Sequence, residues 1–264
     1  MTRRVVVLAA HGARVRLSAE EGQLEQVLGR LAPSVVTVPC RDGHDGGPID
    51  VDGSVDVDRP EGTWVVRSSD LGTTAARGED DAVRITASQA QLGLAAHARE
   101  AVYIHAGAVA WKGRGIVVPG RSMAGKTTLV SALVRAGASY YSDEYAVLRP
   151  DGTLEPFTKP LAVRRDDTTV AVPPRELGRI GTDPVPVALV AALRYAPGSS
   201  PEVTTASGSA AVLALVDNAV AARVRPEAVL AAAVAVGRTA RFVTGERGDA
   251  DTVVQDLLRL AEQR

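Results

Sequence analysis

The chain has 264 residues, 45% of them apolar, 23% charged and 3% aromatic, with a net charge of -1. That is ample material for a core built from Ala, Val and Leu. It excludes a basic nucleic-acid binder, a membrane span, a disulfide framework and a multi-cysteine metal site, since only one cysteine is present. The opening MTRRVVVLAAHGARVR is too short in its apolar part for a signal peptide, so a cytoplasmic location is expected.

Arg4 to Ala10 and Arg14 to Leu17 read as strands around a His11-Gly12 turn. Ser18 and Glu21 have the spacing of a capping box, and the helix they would open carries Leu24, Val27, Leu28 and Leu31 on one face until Pro33. Val35 to Val38 is a further strand. From Arg41 to Arg59 Asp and Gly dominate; the alternation of Asp with Val lacks the spacing and closing Glu of a calcium loop, so a solvated loop or weak hairpin is expected. Thr63 to Arg67 reads as a strand, Ser68 to Asp81 as polar turns, and Val83 to Thr86 as a return to the sheet. Residues 1–87 thus form a small β-rich lobe. Cys40, His11 and His44 stand there, and His97 beyond, outside any ligand spacing.

Ser88 to Ala101 reads as a helix opening the second domain, residues 88–264. AVYIHAGAVAWKGRGIVVPG follows, two apolar strands joined by a glycine turn at Lys112 to Gly115. This hairpin feeds GRSMAGKTT, which fits G-x-x-x-x-G-K-[ST] at Gly120, Gly125, Lys126 and Thr127. An apolar strand before it and an amphipathic helix after it, with Leu129, Val130, Leu133 and Val134 on one face, give the context a phosphate loop needs. Backbone amides of Gly120, Arg121, Ser122, Met123, Ala124, Gly125, Lys126, Thr127 and Thr128 would cradle an anion at the helix start. Lys126 would reach the β and γ phosphates, and the Thr127 hydroxyl would ligate the bridging Mg2+. Met123 and Ala124 stand where a further glycine would ease the turn. His105, in the first hairpin strand, is either a core histidine with an internal partner or a functional one beside the loop; spacing leaves both open.

Gly137 caps the loop helix, and YYSDEYAVLRPDG follows. Asp143 and Glu144 lie between strand-like runs, where burying two carboxylates is costly unless a cation meets them. A metal shared with Thr127 would be that cation; a plain turn is the alternative. TLEPFTKPLAVRR gives two short strands broken by prolines; Lys159, Arg164 and Arg165 could reach phosphate or substrate, with solvated surface charge the favoured reading. Val187 to Tyr195 and Ala240 to Thr244 read as strands. Ala210 to Ala222, Pro226 to Val236 and Ala250 to Ala261 read as helices.

The succession HAGAV, GRSMAGKTT, helix and YYSDEYAVL resembles the catalytic domain of HPr serine kinase/phosphorylase and its kinase-like relatives. The likeness is clear over residues 88 to about 165 and only general beyond. It implies an α/β P-loop kinase-like fold of the HPr kinase/phosphoenolpyruvate carboxykinase type, with ATP and Mg2+ as cofactors. By position it implies that His105 lies near the transferred phosphate and that Asp143 serves as base or metal ligand beside Glu144. The glycine-containing signature tied to phosphorolysis and the hexamer is absent, and residues 1–87 show no likeness to the family. The chain therefore looks like one of the shorter relatives, some of which phosphorylate a serine of a ribosomally made peptide precursor. The expected acceptor is a peptide or protein, with a small metabolite as the alternative and no nucleic acid or membrane partner; a homo-oligomer is left open. A regulatory ATPase or scaffold would need the same loop, and a GTPase would need an N-K-x-D motif that is absent.

Overall fold

The computed structural model describes residues 2–38, 50–120, 125–165 and 168–263, without the side chains of 162–171. Cys40, His44, Arg121, Ser122, Met123 and Ala124 lie outside the described residues, as do the side chains of Arg164 and Arg165. Two units divide the chain, Met1–Glu100 and Ala101–Arg264. Each contains a mixed sheet, and the six α-helices among the described residues make the protein mixed α/β.

The first unit comprises β1 (Arg3–Ala10), β2 (Ala13–Glu20), α1 (Glu21–Leu28), β3 (Val36–Val38), β4 (Gly53–Asp58), β5 (Trp64–Ser68), β6 (Gly72–Ala76) and α2 (Glu79–His97). The sheet order is β3-β1-β2-β4-β5-β6, with β2 and β4 parallel. His11 and Gly12, both at positive φ, make the tight β1–β2 turn. Leu8, Leu17, Val55, Val57 and Val66 face Leu24, Val27, Val83, Ala87 and Leu94 across one core.

Four expectations for this unit are corrected. Residues 53–58, expected in a loop, form the strand β4. Val55 and Val57 point into the core while Asp56 and Asp58 meet arginines from other strands of the sheet. Arg16 Nη2 donates to both Asp56 oxygens at 3.0 Å, and Arg3 Nη1 lies 2.7 Å from Asp58 Oδ1. Such exposed pairs contribute at most about 1 kcal/mol each, so the buried valines carry the strand. Val83 to Thr86, expected in a strand, lies within α2, because Ala82, Val83, Thr86, Ala87, Ala90, Gln91 and Leu94 repeat at helical spacing and Glu79, Asp80 and Asp81 favour a helix start. Ser18 is no helix cap: it sits in β2, where its hydroxyl accepts from Arg3 Nε at 2.7 Å, and α1 begins without a side-chain cap. The expected boundary at 87/88 consequently falls inside α2, and the units divide after Glu100 instead.

The second unit comprises β7 (Val102–Trp111), β8 (Arg114–Pro119), α3 (Lys126–Arg135), β9 (Ser139–Ser142), β10 (Tyr145–Leu148), β11 (Thr153–Glu155), β12 (Leu161–Arg165), β13 (Thr168–Val172), β14 (Val185–Tyr195), β15 (Glu202–Ala206), α4 (Gly208–Asp217), α5 (Pro226–Thr239), β16 (Arg241–Arg247) and α6 (Val254–Glu262). Its main sheet runs β11-β10-β7-β8-β14-β16-β15, with β9 also beside β7, and β12–β13 form a separate hairpin. β8, β14 and β16 are mutually parallel. One face, through Val109, Ile116, Val118 and Leu189, packs on Leu129 and Leu133 of α3 and Leu257 of α6. The other, through Ile104, Ala106, Val117 and Val190, packs on Leu215 of α4 and Val229 and Val236 of α5. α4 ends at Asp217 rather than Ala222. The following residues run along β7, where His105 N donates to Asn218 O at 2.7 Å and Val220 N to Tyr103 O at 2.9 Å. No helix among the described residues is long and apolar enough to cross a membrane.

Candidate functional site

β7 changes partners halfway along. Its first half pairs with β10, Tyr145 opposite His105, and its second half pairs with β9, Ala108 opposite Ser142. The chain between β9 and β10 is Asp143-Glu144, so the acidic pair sits at the switch. On the opposite edge β7 pairs with β8 as far as Ala106–Pro119, and Gly120 N donates to His105 O at 3.2 Å. One row across the sheet therefore holds the start of the glycine loop, His105 and the acidic bend. Ser142 fixes that bend, its buried hydroxyl accepting from the amides of Glu144 at 3.1 Å and Tyr145 at 3.0 Å.

Above this row α3 begins at Lys126, behind Gly125 in the left-handed region at φ 73°. Its approach depends on Gly107, where a Cβ would meet Val130 Cγ2 at 2.5 Å. In the first turn Thr127 Oγ1 donates to Asp143 Oδ2 at 3.0 Å, and Tyr140 OH donates to Asp143 Oδ1 at 3.1 Å. The Tyr140 hydroxyl also reaches Lys159 O at 3.2 Å. Burial first, then the Asp143 charge, pushes the Tyr140 phenol far above its ordinary range, so it remains a donor. Asp143 is only 7% exposed, and its two hydroxyl donors compensate for that burial.

Lys126 Nζ donates to Gly120 O at 2.8 Å and is half-buried. Burial lowers its pKa, against the opposing pull of Asp143 and then Glu144. His105 is half-buried too, its ring 5.0 Å from that of Tyr145. Burial lowers its pKa from 6.5, Glu144 opposing and Lys126 assisting, which leaves the imidazole neutral at pH 7. Thr128 is exposed at the helix start.

Of the expected site residues, the structure gathers Gly120, Gly125, Lys126, Thr127, Asp143, Glu144 and His105 around the start of α3. Arg121, Ser122, Met123 and Ala124 are outside the described residues. Lys159, expected at the surface, is buried at 8% exposure and lies 2.7 Å from Glu144 Oε2. Burial alone would lower its pKa, but Glu144 first and Asp143 second raise it above the usual lysine value, so it is a fixed cation. The pattern K-P between two strands offered no signal of that. Arg247, not singled out in the sequence, reaches the same helix start, its Nη2 donating to Gly125 O at 2.9 Å.

Thr127 Oγ1 and Asp143 Oδ2 are oxygen donors spaced as neighbouring ligands of a small octahedral cation, which lie about 3 Å apart. They fit magnesium. Glu144 is engaged by Lys159 instead, and among the described residues no group of three or more His, Cys, Asp or Glu could hold a metal unaided. A concave patch of the first unit, lined by Arg14, Asp50, Asp52 and Arg99 among others, contains none of the expected site residues. No protein-family model matches the chain, and no curated protein matches it.

Proposed function

We propose that the second unit is an ATP-dependent phosphotransferase of the HPr kinase/phosphoenolpyruvate carboxykinase P-loop type. It would move the γ-phosphate of ATP to a hydroxyl, with a serine of a peptide or protein as the preferred acceptor and the cytoplasm as its place of work. The observation that carries this reading is the Thr127–Asp143 hydrogen bond, which couples the loop helix to a buried carboxylate in the way a combined phosphate and acceptor site requires. Magnesium needs only one or two protein oxygens alongside phosphate and water, and when bound it would offset charge on the β and γ phosphates.

The chain's own residues divide the remaining work. Lys126 supplies a cation on a half-buried stem at the loop, and the amides at the start of α3 supply the positive end of the helix dipole. Asp143 orients the acceptor hydroxyl and takes its proton as that oxygen bonds to the γ phosphorus and the bond to the β-phosphate oxygen breaks. His105, neutral at pH 7, is suited to hydrogen-bond the transferred group without adding charge. Lys159 neutralises Glu144, so that one carboxylate of the pair is left to act.

The test is transfer from γ-labelled ATP, with magnesium, to candidate peptides and proteins. Label appearing on a serine, dependent on Lys126, supports the reading; ATP bound or hydrolysed with no labelled acceptor supports a regulatory ATPase. A strong preference for GTP would count against it.

A further inference from the structure

Arg247 ends β16, opposite Tyr195 at the end of the parallel strand β14. It is 2% exposed, yet its side chain is a guanidinium that stays charged at any ordinary pH. Two backbone carbonyls receive it: Gly125 O, 2.9 Å from Nη2, and Gly248 O, 3.1 Å from Nη1. The Tyr195 ring lies 5.3 Å from Cζ, and the buried Nε has no acceptor. Among the described residues no carboxylate lies within ion-pair reach of it, and Glu246 next in the chain is paired with Arg194 instead. Burial lowers its pKa with only Tyr195 opposing.

A buried cation without a counter-charge is costly, and such groups are normally paired. The surroundings aggravate the problem. Gly125 is the N-cap of α3, and α3 has no acidic residue in its first turn and no side-chain cap. Arg247 thus meets α3 at its N-cap, the positive end of the helix dipole. That point lies at the carboxyl ends of the parallel strands β8, β14 and β16, where ligands of α/β sheets bind. Gly125 itself leaves no room for a side chain, since a Cβ would stand 2.6 Å from Arg247 Nη2.

We propose that Arg247 is an anion-holding residue at the start of α3, and that its missing counter-charge is a phosphate group of the bound ligand. The inference rests on the phosphate-site reading above and adds to it a charged ligand contact and a reason for the arginine's burial. Arg247 clamps Gly125 through Nη2 and keeps N–H donors, Nε among them, for the anion. Arginine suits the task because its planar fork can hold a carbonyl and a phosphate oxygen at once.

The experiment is titration of the full chain with inorganic pyrophosphate and with magnesium-ATP, in the wild type, Arg247→Gln, Arg247→Lys and Lys126→Ala. Arg247→Gln deletes the charge, and its amide nitrogen stands where Nε was, two bonds short of Gly125 O; pyrophosphate affinity should fall about tenfold or more, the scale of a lost charge-assisted hydrogen bond. Arg247→Lys keeps the charge and should retain an intermediate affinity. Wild-type affinity in Arg247→Gln, with Lys126→Ala impaired, would overturn the role of Arg247 and leave the phosphate site standing. No binding of either ligand by the folded wild type would remove the phosphate site, and this inference with it. Failure of both Arg247 variants to fold would make the residue structural and overturn the proposal.

Discussion

The Thr127 hydroxyl donates to Asp143 Oδ2 at 3.0 Å, joining the first turn of α3 to the bend between β9 and β10. The bond ties two pieces of chain that the sheet already aligns. β7 presents His105 to Tyr145 on one edge and to Gly120 on the other, so strand register sets the loop and the acidic pair side by side. Packing then adds the third dimension, because α3 can descend onto β7 only over Gly107. Consequences for binding, folding and transfer follow from different parts of this arrangement.

Lys126→Ala should abolish or sharply weaken magnesium-ATP binding while leaving the fold intact. The side chain is half-buried and its ammonium donates to Gly120 O at the start of the loop, so its removal opens no core cavity. Calorimetric titration with ATP, alongside circular dichroism, checks both halves. Unchanged nucleotide affinity would sink the phosphate-loop assignment.

The hairpin β7–β8, the helix α3 and the acidic bend after it are legible in the sequence because each is a local pattern, readable within a few residues of itself. Arg247 is not, because what makes it notable is a bond to Gly125 across 122 positions of chain, and nothing near Arg247 announces its burial. Lys159 reads as surface charge for the same reason: its partner Glu144 lies on another strand connection. β4 reads as a loop because Asp56 and Asp58 look unsheetlike until Arg3, Arg16 and Arg67 are brought beside them. Val83 to Thr86 is too short a run to tell strand from helix, and only the longer repeat through Leu94 decides it. His105 remained open between core and function, and the structure finds it half-buried, beside both Tyr145 and the loop.

Gly107→Ala should destabilise the second unit by about 1–3 kcal/mol, the usual range for overpacking. The added methyl would face Val130 Cγ2 at 2.5 Å, and a β-branched side chain has few rotamers into which to retreat. Since any relief lifts α3 and carries Lys126 and Thr127 with it, ATP affinity should fall as well. In a Val130→Ala background the same Gly107→Ala change should cost much less in denaturant unfolding; an equal cost in both backgrounds would show that the contact is not the cause.

Asp52 provides a pH prediction for the first unit. Burial acts to raise its pKa, but the Arg14 amide, donating at 2.8 Å, and then Arg99 hold the carboxyl below its ordinary 3.8. With the native pKa below the unfolded one, the unfolded chain takes up the proton first as pH falls. The stabilisation is therefore complete above 3.8 and is lost as pH drops through the native value. Asp52→Asn should lower the unfolding midpoint at neutral pH and remove part of the acid loss below 3.8. Parallel acid limbs in mutant and wild type would contradict the assignment.

Asp143→Asn separates transfer from binding. The amide is nearly isosteric, and each of its hydroxyl neighbours can adapt: Thr127 and Tyr140 both donate or accept, and Tyr140 retains Lys159 O at 3.2 Å. The site should therefore hold its shape. If the carboxylate takes the acceptor proton, ATP affinity should stay near wild type, because Lys126 and the amides at the start of α3 are untouched. Phosphoryl transfer should nevertheless fall by ~10²-fold or more, the scale of a lost general base. If Asp143 instead serves chiefly as a metal ligand, magnesium-dependent ATP binding should weaken, and added magnesium should partly restore it. A carboxylate kept only to anchor Thr127 and Tyr140 would change neither quantity and would show as a lower unfolding midpoint alone. ATP affinity, its magnesium dependence and transfer, measured on one preparation, assign Asp143 to one of these three roles, and unaltered affinity with unaltered transfer would exclude it from the chemistry.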